Sequence, residues 1–327
     1  MGGVMSGLSE AFPPKPEFTA QDVPDLNGKV MVVTGGNTGI GKETVKALLQ
    51  RNARVYLAGR SQEKCEAAIS DLKRQTGNEA IFLELDLSDL KSVKAAATEF
   101  QRKETHLHSL FNNAGVMGPP VGELTAQGYD LQFGTNVLGH FYFTKLLLPT
   151  LLKTAQAEPV FKARVVNTSS GGHLMGSLDF NTFRTSPARE KLGSFGLYNQ
   201  SKYGNVVFAK ELTRRYGDKG LVSTSLNPGS IKSDLQRHMP KWLLFFLASP
   251  FIPGQDFFFY EPWYGALTQL WAGTSPEGAG FGGRYLIPWA RMGKALESTT
   301  DPALGKQLWA WLEEQTEQFE MRSIGRT

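Results

Sequence analysis

The chain has 327 residues, of which 41% are hydrophobic and 20% are charged, a composition typical of a folded globular protein. Its net charge of +4 comes from scattered lysines and arginines without a basic run, which argues against nucleic-acid binding. The single cysteine, Cys65, excludes an internal disulfide framework, and no secretory signal precedes the fold, so we expect a cytoplasmic protein.

In chain order, residues 1–27 contain four prolines and are predicted to form an extended arm, and residues 28–327 to form one domain. From residue 29 onward, short apolar runs alternate with longer amphipathic stretches. Strands are predicted at 29–35, 53–59, 80–86, 108–115, 163–170, 221–229 and 282–288, and helices at 39–51, 61–75, 88–103, 127–153, 198–216, 261–273 and 301–318. Strands that are apolar on both faces and separated by helices predict an α/β protein, with a single doubly wound parallel sheet of the Rossmann type covered by helices on both faces. Ligands of such sheets bind beyond the carboxyl ends of the strands.

The first strand leads into the glycine-rich stretch "TGGNTGIG", which precedes the first helix. Gly35, Gly39 and Gly41 stand where the backbone has to turn sharply and approach a phosphate without a Cβ in the way. The helix that follows directs its backbone N–H groups and the positive end of its dipole towards that phosphate. A lone glycine motif is weak, but its place between a clear strand and a clear helix predicts dinucleotide binding.

The G-x-x-x-G-x-G spacing resembles that of the short-chain dehydrogenase/reductase family, and so do "NNAG" (112–115), "NTSSGG" (167–172), "YNQSK" (198–202) and "NPGSIKS" (227–233). The resemblance covers residues 28 to about 235 through specific motifs and the remainder more loosely. It implies that Asp86 and Leu87 flank the adenine ring, that Asn113 lies near the adenosine ribose, and that Ile231 offers backbone groups to the nicotinamide carboxamide. The cofactor residues that we predict from the motifs and the resemblance are Gly35, Asn37, Gly39, Ile40, Gly41, Arg60, Lys64, Asp86, Leu87, Asn113, Ala114, Gly115, Tyr198, Lys202, Pro228, Gly229, Ile231 and Ser233.

The end of the second predicted strand favours NADP(H) over NAD(H). Enzymes that prefer NAD usually carry an acidic residue there, which binds the ribose 2′-hydroxyl. This chain has Gly59 at that position, and Arg60 follows with a guanidinium suited to a 2′-phosphate. Asn37 and Lys64 are expected to assist.

Tyr198 and Lys202 stand four residues apart on one face of a predicted helix and are the expected general acid/base and its partner. Reduction of a carbonyl leaves an alkoxide that needs a proton, and a free tyrosine with a pKa of about 10 is poorly matched to neutral pH. A nearby ammonium and the positively charged nicotinamide favour the phenolate, so Lys202 and the bound cofactor are expected to lower the pKa of Tyr198. Strand alternation leaves either Ser169 or Ser170 facing the site, and the resemblance selects Ser170 as the group that holds the substrate oxygen. It also implies that Asn136 keeps a water for a proton relay through Lys202.

The histidines of the chain lack the spacing of a metal cluster, and no metal is expected. His173 closely follows Ser170, which leaves open that it lines the substrate pocket.

The stretch "KWLLFFLASPFIPGQDFFFYEPW" (241–263) is the most apolar passage of the chain, and prolines and a glycine break it well short of a membrane-spanning length. The resemblance makes residues 234–262 a C-terminal substrate lid, and an interfacial helix over 240–248 stays open as the alternative.

Details such as "NVLGHFYFTKLLLPTLL" resemble the retinol-dehydrogenase-like and WW-domain-oxidoreductase-like branch. The resemblance implies a small lipophilic ketone, aldehyde or alcohol as substrate, and family habit suggests a homodimer. Two alternatives are a redox-silent scaffold or sensor that binds cofactor and an epimerase or dehydratase on the same fold; the complete Asn-Ser-Tyr-Lys set argues against the first.

Overall fold

The computed structural model describes residues 9–10, 12–232 and 259–324. Ser233 and most of the predicted lid, including the proposed interfacial helix over 240–248, lie outside these ranges. Within them, no helix has the length and apolar character needed to cross a membrane.

The alternating pattern folds as one eight-stranded sheet with the order β3-β2-β1-β4-β5-β6-β7-β8. Strands β1 to β7 are parallel, and β8 pairs antiparallel with β7. The strands are β1 (Val30–Thr34), β2 (Arg54–Gly59), β3 (Ile81–Glu84), β4 (Ser109–Asn112), β5 (Ala163–Thr168), β6 (Leu221–Leu226), β7 (Tyr285–Ile287) and β8 (Arg291–Gly293). The predicted doubly wound sheet is confirmed, with an antiparallel edge strand that the prediction lacked because three residues without an apolar run give no periodic signal.

Helices cover both faces of the sheet. The longer helices are α1 (Gly39–Gln50), α2 (Gln62–Thr76), α3 (Leu90–Lys103), α4 (131–157, in the three parts Leu131–Phe133, Gly134–Gly139 and His140–Ala157), α5 (Pro187–Tyr216), α6 (Pro262–Thr274) and α7 (Pro302–Ile324). Alternate residues of β1 enter separate cores: Val30 and Val32 pack with α3, α4, α5 and α7, whereas Met31 and Val33 pack with α1, α2 and α6. This explains why the parallel strands are apolar on both faces.

Two helices differ from their predicted bounds. The helix predicted at 127–153 begins at Leu131, where Asp130 caps it by accepting from two backbone N–H groups, and its segment Gly134–Gly139 is π-helical. The helix predicted at 198–216 begins at Pro187, eleven residues earlier, because Ser186 caps it. Its first part is separated from the rest at Gly193, whose φ of 69° interrupts the helix. Residues 187–197, directly before Tyr198, are therefore helical apart from the break at Gly193.

The two ends of the described chain pack on this domain. The apolar face of α7, with Leu308, Trp309 and Leu312, is buried against α4 and α5 of its own chain. Val23 and Leu26, which precede β1, are each 1% exposed and belong to the core beside α1.

Candidate active site

A cleft of about 610 Å³ opens along the carboxyl ends of β1 to β6. It brings together residues that are far apart in the sequence. The predicted residues that line it are Gly35, Asn37, Gly39, Ile40, Gly41, Arg60, Lys64, Asp86, Leu87, Asn113, Ala114, Gly115, Ser170, Tyr198, Lys202, Pro228, Gly229 and Ile231. Asn136 lies behind this lining and is fully buried, and Ser233 is outside the described residues.

The glycine-rich loop forms one wall of the cleft between β1 and α1. Gly35 has a φ of 66°, which favours glycine, and α1 begins at Gly39. A Cβ on Gly41 would overlap the carbonyl oxygen of Gly35, so the loop and the helix can approach each other this closely only without a side chain there. The start of α1 consequently faces the cleft with its backbone N–H groups and the positive end of its dipole.

Beside this loop, the end of β2 leaves no room for a side chain on Gly59. A Cβ there would lie 2.7 Å from the buried sulfur of Cys65 and 3.5 Å from Oδ1 of Asn37. Arg60 and Lys64 are exposed at the rim of the same part of the cleft. This end therefore carries two cations, and the place where a carboxylate would stand is closed sterically by Cys65.

Tyr198 and Lys202 lie at the other part of the cleft, one turn apart on α5. The Nζ of Lys202 lies 5.7 Å from the centroid of the Tyr198 ring and donates a hydrogen bond to Thr168 O at 3.0 Å. Burial raises the pKa of Tyr198 to about 12, although a hydrogen bond with the Ser170 hydroxyl lowers it. Burial also lowers the pKa of Lys202 to about 8. Within the chain alone, burial thus outweighs the expected effect of Lys202, and the Tyr198 phenol holds its proton at neutral pH.

The two serines that end β5 have different surroundings. The Ser169 hydroxyl donates to Lys202 O at 2.6 Å and is buried. The Ser170 hydroxyl is partly exposed, accepts from the N–H of Gly172 at 3.1 Å and bonds to Tyr198. Of the two, the Ser170 hydroxyl is the one next to the Tyr198 phenol.

The Asn136 side chain braces the loop after β4. Its Oδ1 accepts from the N–H of Val116 at 2.8 Å, and its Nδ2 donates to Val116 O at 3.0 Å and to Ser201 Oγ at 2.9 Å. The side chain therefore fixes the Gly115 and Val116 backbone against α5 and does not itself line the cleft, and the predicted water relay remains a prediction.

The structure adds His140, a buried histidine to which the sequence pattern assigns no role. The carbonyl oxygen of Asn136 can only accept, so Nδ1 of His140, 3.1 Å away, carries the proton of the imidazole. Its Nε2 then accepts from the hydroxyl of Thr34 at 2.9 Å. Burial lowers the pKa of His140 to about 4, so the ring is neutral and ties Asn136 to the end of β1. In the sequence, the only indication of this contact was the spacing of four residues between Asn136 and His140.

Apolar side chains are frequent in the lining. They are Ile40, Leu85, Leu87, Val116, Met117, Leu131, Ile231 and Phe259. The loop that carries Met117 is held by Gln132, whose Oε1 accepts from the N–H of Gly118 at 3.0 Å and whose Nε2 donates to Ser194 O at 2.7 Å. The interrupted start of α5 is thereby fastened to the cleft wall. His173, which was considered as a lining residue, is fully buried beneath the cleft.

Comparisons with known proteins agree with this geometry. The family model described as short chain dehydrogenase matches residues 29–244. A short-chain dehydrogenase/reductase of Armillaria gallica is 60% identical over 320 residues, which cover 98% of this chain and all of that protein. The chain belongs to the short-chain dehydrogenase/reductase family. Retinol dehydrogenase 11 of Mus musculus is 44% identical over 252 residues, covering 75% of this chain and 72% of that protein, and the predicted retinol-dehydrogenase-like branch is confirmed.

Solved structures share the fold of this short-chain dehydrogenase/reductase. A Mycobacterium paratuberculosis protein has a TM-score of 0.68 and 28% identity, covering 92% of this chain and 97% of its own. The Pseudomonas aeruginosa RhlG structure, an NADP active-site complex, has a TM-score of 0.63 and 25% identity, covering 80% of this chain and 95% of its own.

Membership makes the chain an oxidoreductase of a family that uses a nicotinamide cofactor. The residues of the cleft fit such a dinucleotide. The helix start at Gly39 and the close approach at Gly41 suit a pyrophosphate, and the cleft continues from Arg60 to Tyr198 without leaving the strand ends.

Proposed function

We propose that this enzyme is an NADP(H)-dependent oxidoreductase that interconverts a lipophilic ketone or aldehyde and its alcohol, with Tyr198 as general acid/base. The observation that carries the proposal is the single cleft that Tyr198, Ser170 and Lys202 share with the glycine loop and with Arg60. A dinucleotide held by the glycine loop and a proton donor on α5 would then serve one substrate in the same cleft.

Reduction of a carbonyl needs one hydride and one proton, and a reduced nicotinamide held in the cleft would supply the hydride to the carbonyl carbon. The Ser170 hydroxyl holds the carbonyl oxygen by donating a hydrogen bond to it. As the C=O bond opens, its electron pair moves to that oxygen, which takes the proton of Tyr198. The ammonium of Lys202 stabilises the phenolate that remains until solvent returns a proton. A phenol whose pKa is raised to about 12 keeps its proton at neutral pH and can donate it to the substrate oxygen.

The preference for NADP(H) is supported by charge and shape at the end of β2. Arg60 and Lys64 are suited to a 2′-phosphate. An acidic residue in place of Gly59 would repel that phosphate, and Cys65 leaves no room for a side chain there. The likeness to RhlG, whose structure holds NADP, points the same way.

The lipophilic substrate class is supported by the apolar lining on the wall after β4 and by the relatedness to retinol dehydrogenase 11. Met117, on a loop that is fixed by Gln132, and Leu131, at the start of α4, contribute apolar surface there. The predicted lid over 234–262 lies mostly outside the described residues and remains a sequence-based expectation.

A panel of aromatic, steroidal and terpenoid ketones, offered with either NADPH or NADH, tests the proposal. We expect oxidation of NADPH with at least one ketone, and a preference over NADH that Arg60→Ala reduces by about tenfold, the effect of losing one charge-assisted hydrogen bond. Lys191→Ala, which removes an exposed cation on α5, is the matched control and should leave the preference unchanged. Cofactor binding without turnover of any ketone would instead favour a redox-silent scaffold, and equal use of NADH would contradict the assignment of Arg60.

A further inference from the structure

Two residues from the N-terminal part of the chain lie against the end of the sheet that carries the cleft. The guanidinium of Arg291, on β8, donates to Ser9 O at 2.9 Å and to Ser9 Oγ at 3.2 Å. The neighbouring Glu10 is only 4% exposed. A buried carboxyl group needs polar partners, and two of those of Glu10 are the side chains of Asn227 and Tyr285.

The first partner is Asn227, directly after β6. Its Nδ2 donates to Oε2 of Glu10 at 2.8 Å, and its Oδ1 accepts from the N–H of Gly229 at 3.0 Å. Because the two ends of the amide are distinct, the bond to Glu10 sets which end meets Gly229. Pro228 and Gly229 line the cleft, so Glu10 acts on this turn through one side chain.

The second partner is Tyr285 on β7, whose hydroxyl donates to Oε2 of Glu10 at 3.2 Å. Burial and the Glu10 charge raise the pKa of Tyr285 well above its usual range, so this phenol remains a donor. The same hydroxyl oxygen lies 3.3 Å from Nδ1 of His173.

His173 carries this connection to Ser170. The backbone N–H of Leu296 donates to Nε2 of His173 at 3.3 Å, which leaves the ring proton on Nδ1. The N–H at Nδ1 then makes a bifurcated hydrogen bond, in which Ser170 O at 2.8 Å and the Tyr285 hydroxyl oxygen at 3.3 Å are the acceptors. Burial lowers the pKa of His173, which favours this neutral form. The bonds thus run in one direction, from Nδ1 of His173 to the Tyr285 hydroxyl and from that hydroxyl to the Glu10 carboxylate.

We propose that Glu10 is a positioning residue of the active site, which holds the Ser170 segment through Tyr285 and His173 and the Pro228–Gly229 turn through Asn227. The inference rests on the proposed function for its catalytic consequence, because Ser170 is assigned there to the substrate oxygen. One carboxylate from the N-terminal arm would then connect the Ser170 segment with the Pro228–Gly229 turn.

Hydrogen exchange of the cofactor-free protein tests the positioning without any substrate. Glu10→Ala should raise amide exchange about tenfold in segments 170–176 and 226–232 and leave α2 unchanged, because only the local opening equilibrium shifts. Glu10→Gln keeps a carbonyl oxygen that can accept from both Asn227 and Tyr285, and it should restore most of the protection. Glu17→Ala changes an exposed glutamate of the same arm and should have no effect.

Tyr285→Phe removes only the Tyr285 hydroxyl. It therefore breaks the connection from Glu10 to the Ser170 segment and keeps the one through Asn227 to the Pro228–Gly229 turn. It should raise exchange in 170–176 and leave 226–232 as in the wild type, and it keeps the test decisive if Glu10→Ala does not fold. With a ketone that the enzyme reduces, Tyr285→Phe should lower kcat about tenfold and change the Kd of NADPH by less than about threefold. Glu10→Ala should lower kcat in the same way and also weaken NADPH binding, because it releases the Pro228–Gly229 turn.

Unchanged exchange in both segments, or a uniform rise over the whole chain in Glu10→Ala and Tyr285→Phe, would overturn the proposal. If no ketone is reduced by the wild type, the proposed function fails, and the exchange pattern still decides whether Glu10 organises the two segments.

Discussion

Lys202→Met should make the enzyme less active and its cofactor-free form more stable. Lys202 is 3% exposed, and burial lowers its pKa from 10.5 to about 8. A difference of this size means that keeping the ammonium charged in the folded protein costs about 3 kcal/mol at neutral pH. Methionine has a similar length and no charge, so it removes this cost.

The substitution also removes favourable contacts of Lys202, and the free energy that these contacts contribute is small. Thr168 O loses the Lys202 donor but keeps the Nδ2 of Asn205 at 3.2 Å. The contact between the ammonium and the Tyr198 ring, at 5.7 Å, contributes about 1 kcal/mol. The net expectation is a gain of about 2 kcal/mol in the free energy of unfolding, or about 3 °C in Tm for a chain of this length.

The pH dependence of this gain gives the sharper check. Between pH 8 and 10.5 the folded wild type binds fewer protons at Lys202 than the unfolded chain does, so its stability rises with pH in that window. The advantage of Lys202→Met should therefore be fully present below about pH 8 and decline towards pH 10.5. Urea unfolding at several pH values, without cofactor, measures it. Lys191→Met, an exposed position on α5, should change stability by less than about 0.5 kcal/mol. A variant that is less stable than the wild type at pH 7, with an unchanged m-value, would refute the reasoning.

Two further predictions concern the cofactor end of the cleft. Gly59→Asp alone should destabilise the protein, since its Cβ would lie 2.7 Å from the Cys65 sulfur. The double variant Gly59→Asp/Cys65→Ala should recover the stability and shift the cofactor preference from NADPH towards NADH. Recovery of stability without that shift would contradict the assignment of this position. Gly41→Ala should weaken NADPH binding by at least about tenfold in a fluorescence titration, because the methyl group overlaps the Gly35 carbonyl. Gly122→Ala, where a Cβ meets nothing within 4 Å, is the control and should bind NADPH normally.

The fold and most of the cleft could be predicted because their signals are local. A parallel sheet buried on both faces makes each strand a continuous apolar run, as in β1 and β5, and the helices between them have their own periodicity. Once the strands were assigned, the rule that ligands bind beyond their carboxyl ends located Gly35, Arg60 and Tyr198 together.

The features that were missed depend on contacts between distant parts of the chain. Glu10 meets Asn227 across 217 residues, and no pattern around residue 10 reports that partner. His140 bonds to Thr34 across 106 residues, and its neutral state follows only from its burial. In the chain without cofactor, the depth of burial, which a sequence does not give, raises the pKa of Tyr198, and the predicted lowering by Lys202 together with the nicotinamide stays a prediction.

The most direct test of the central claim is a single-turnover measurement of hydride transfer, in which the absorbance of NADPH is followed after mixing the loaded enzyme with a ketone that it reduces. With NADPH at saturation, we expect Tyr198→Phe to transfer hydride about 100-fold more slowly than the wild type or worse, because the proton donor is lost. Hydride transfer by Tyr198→Phe at the wild-type rate would contradict the central claim.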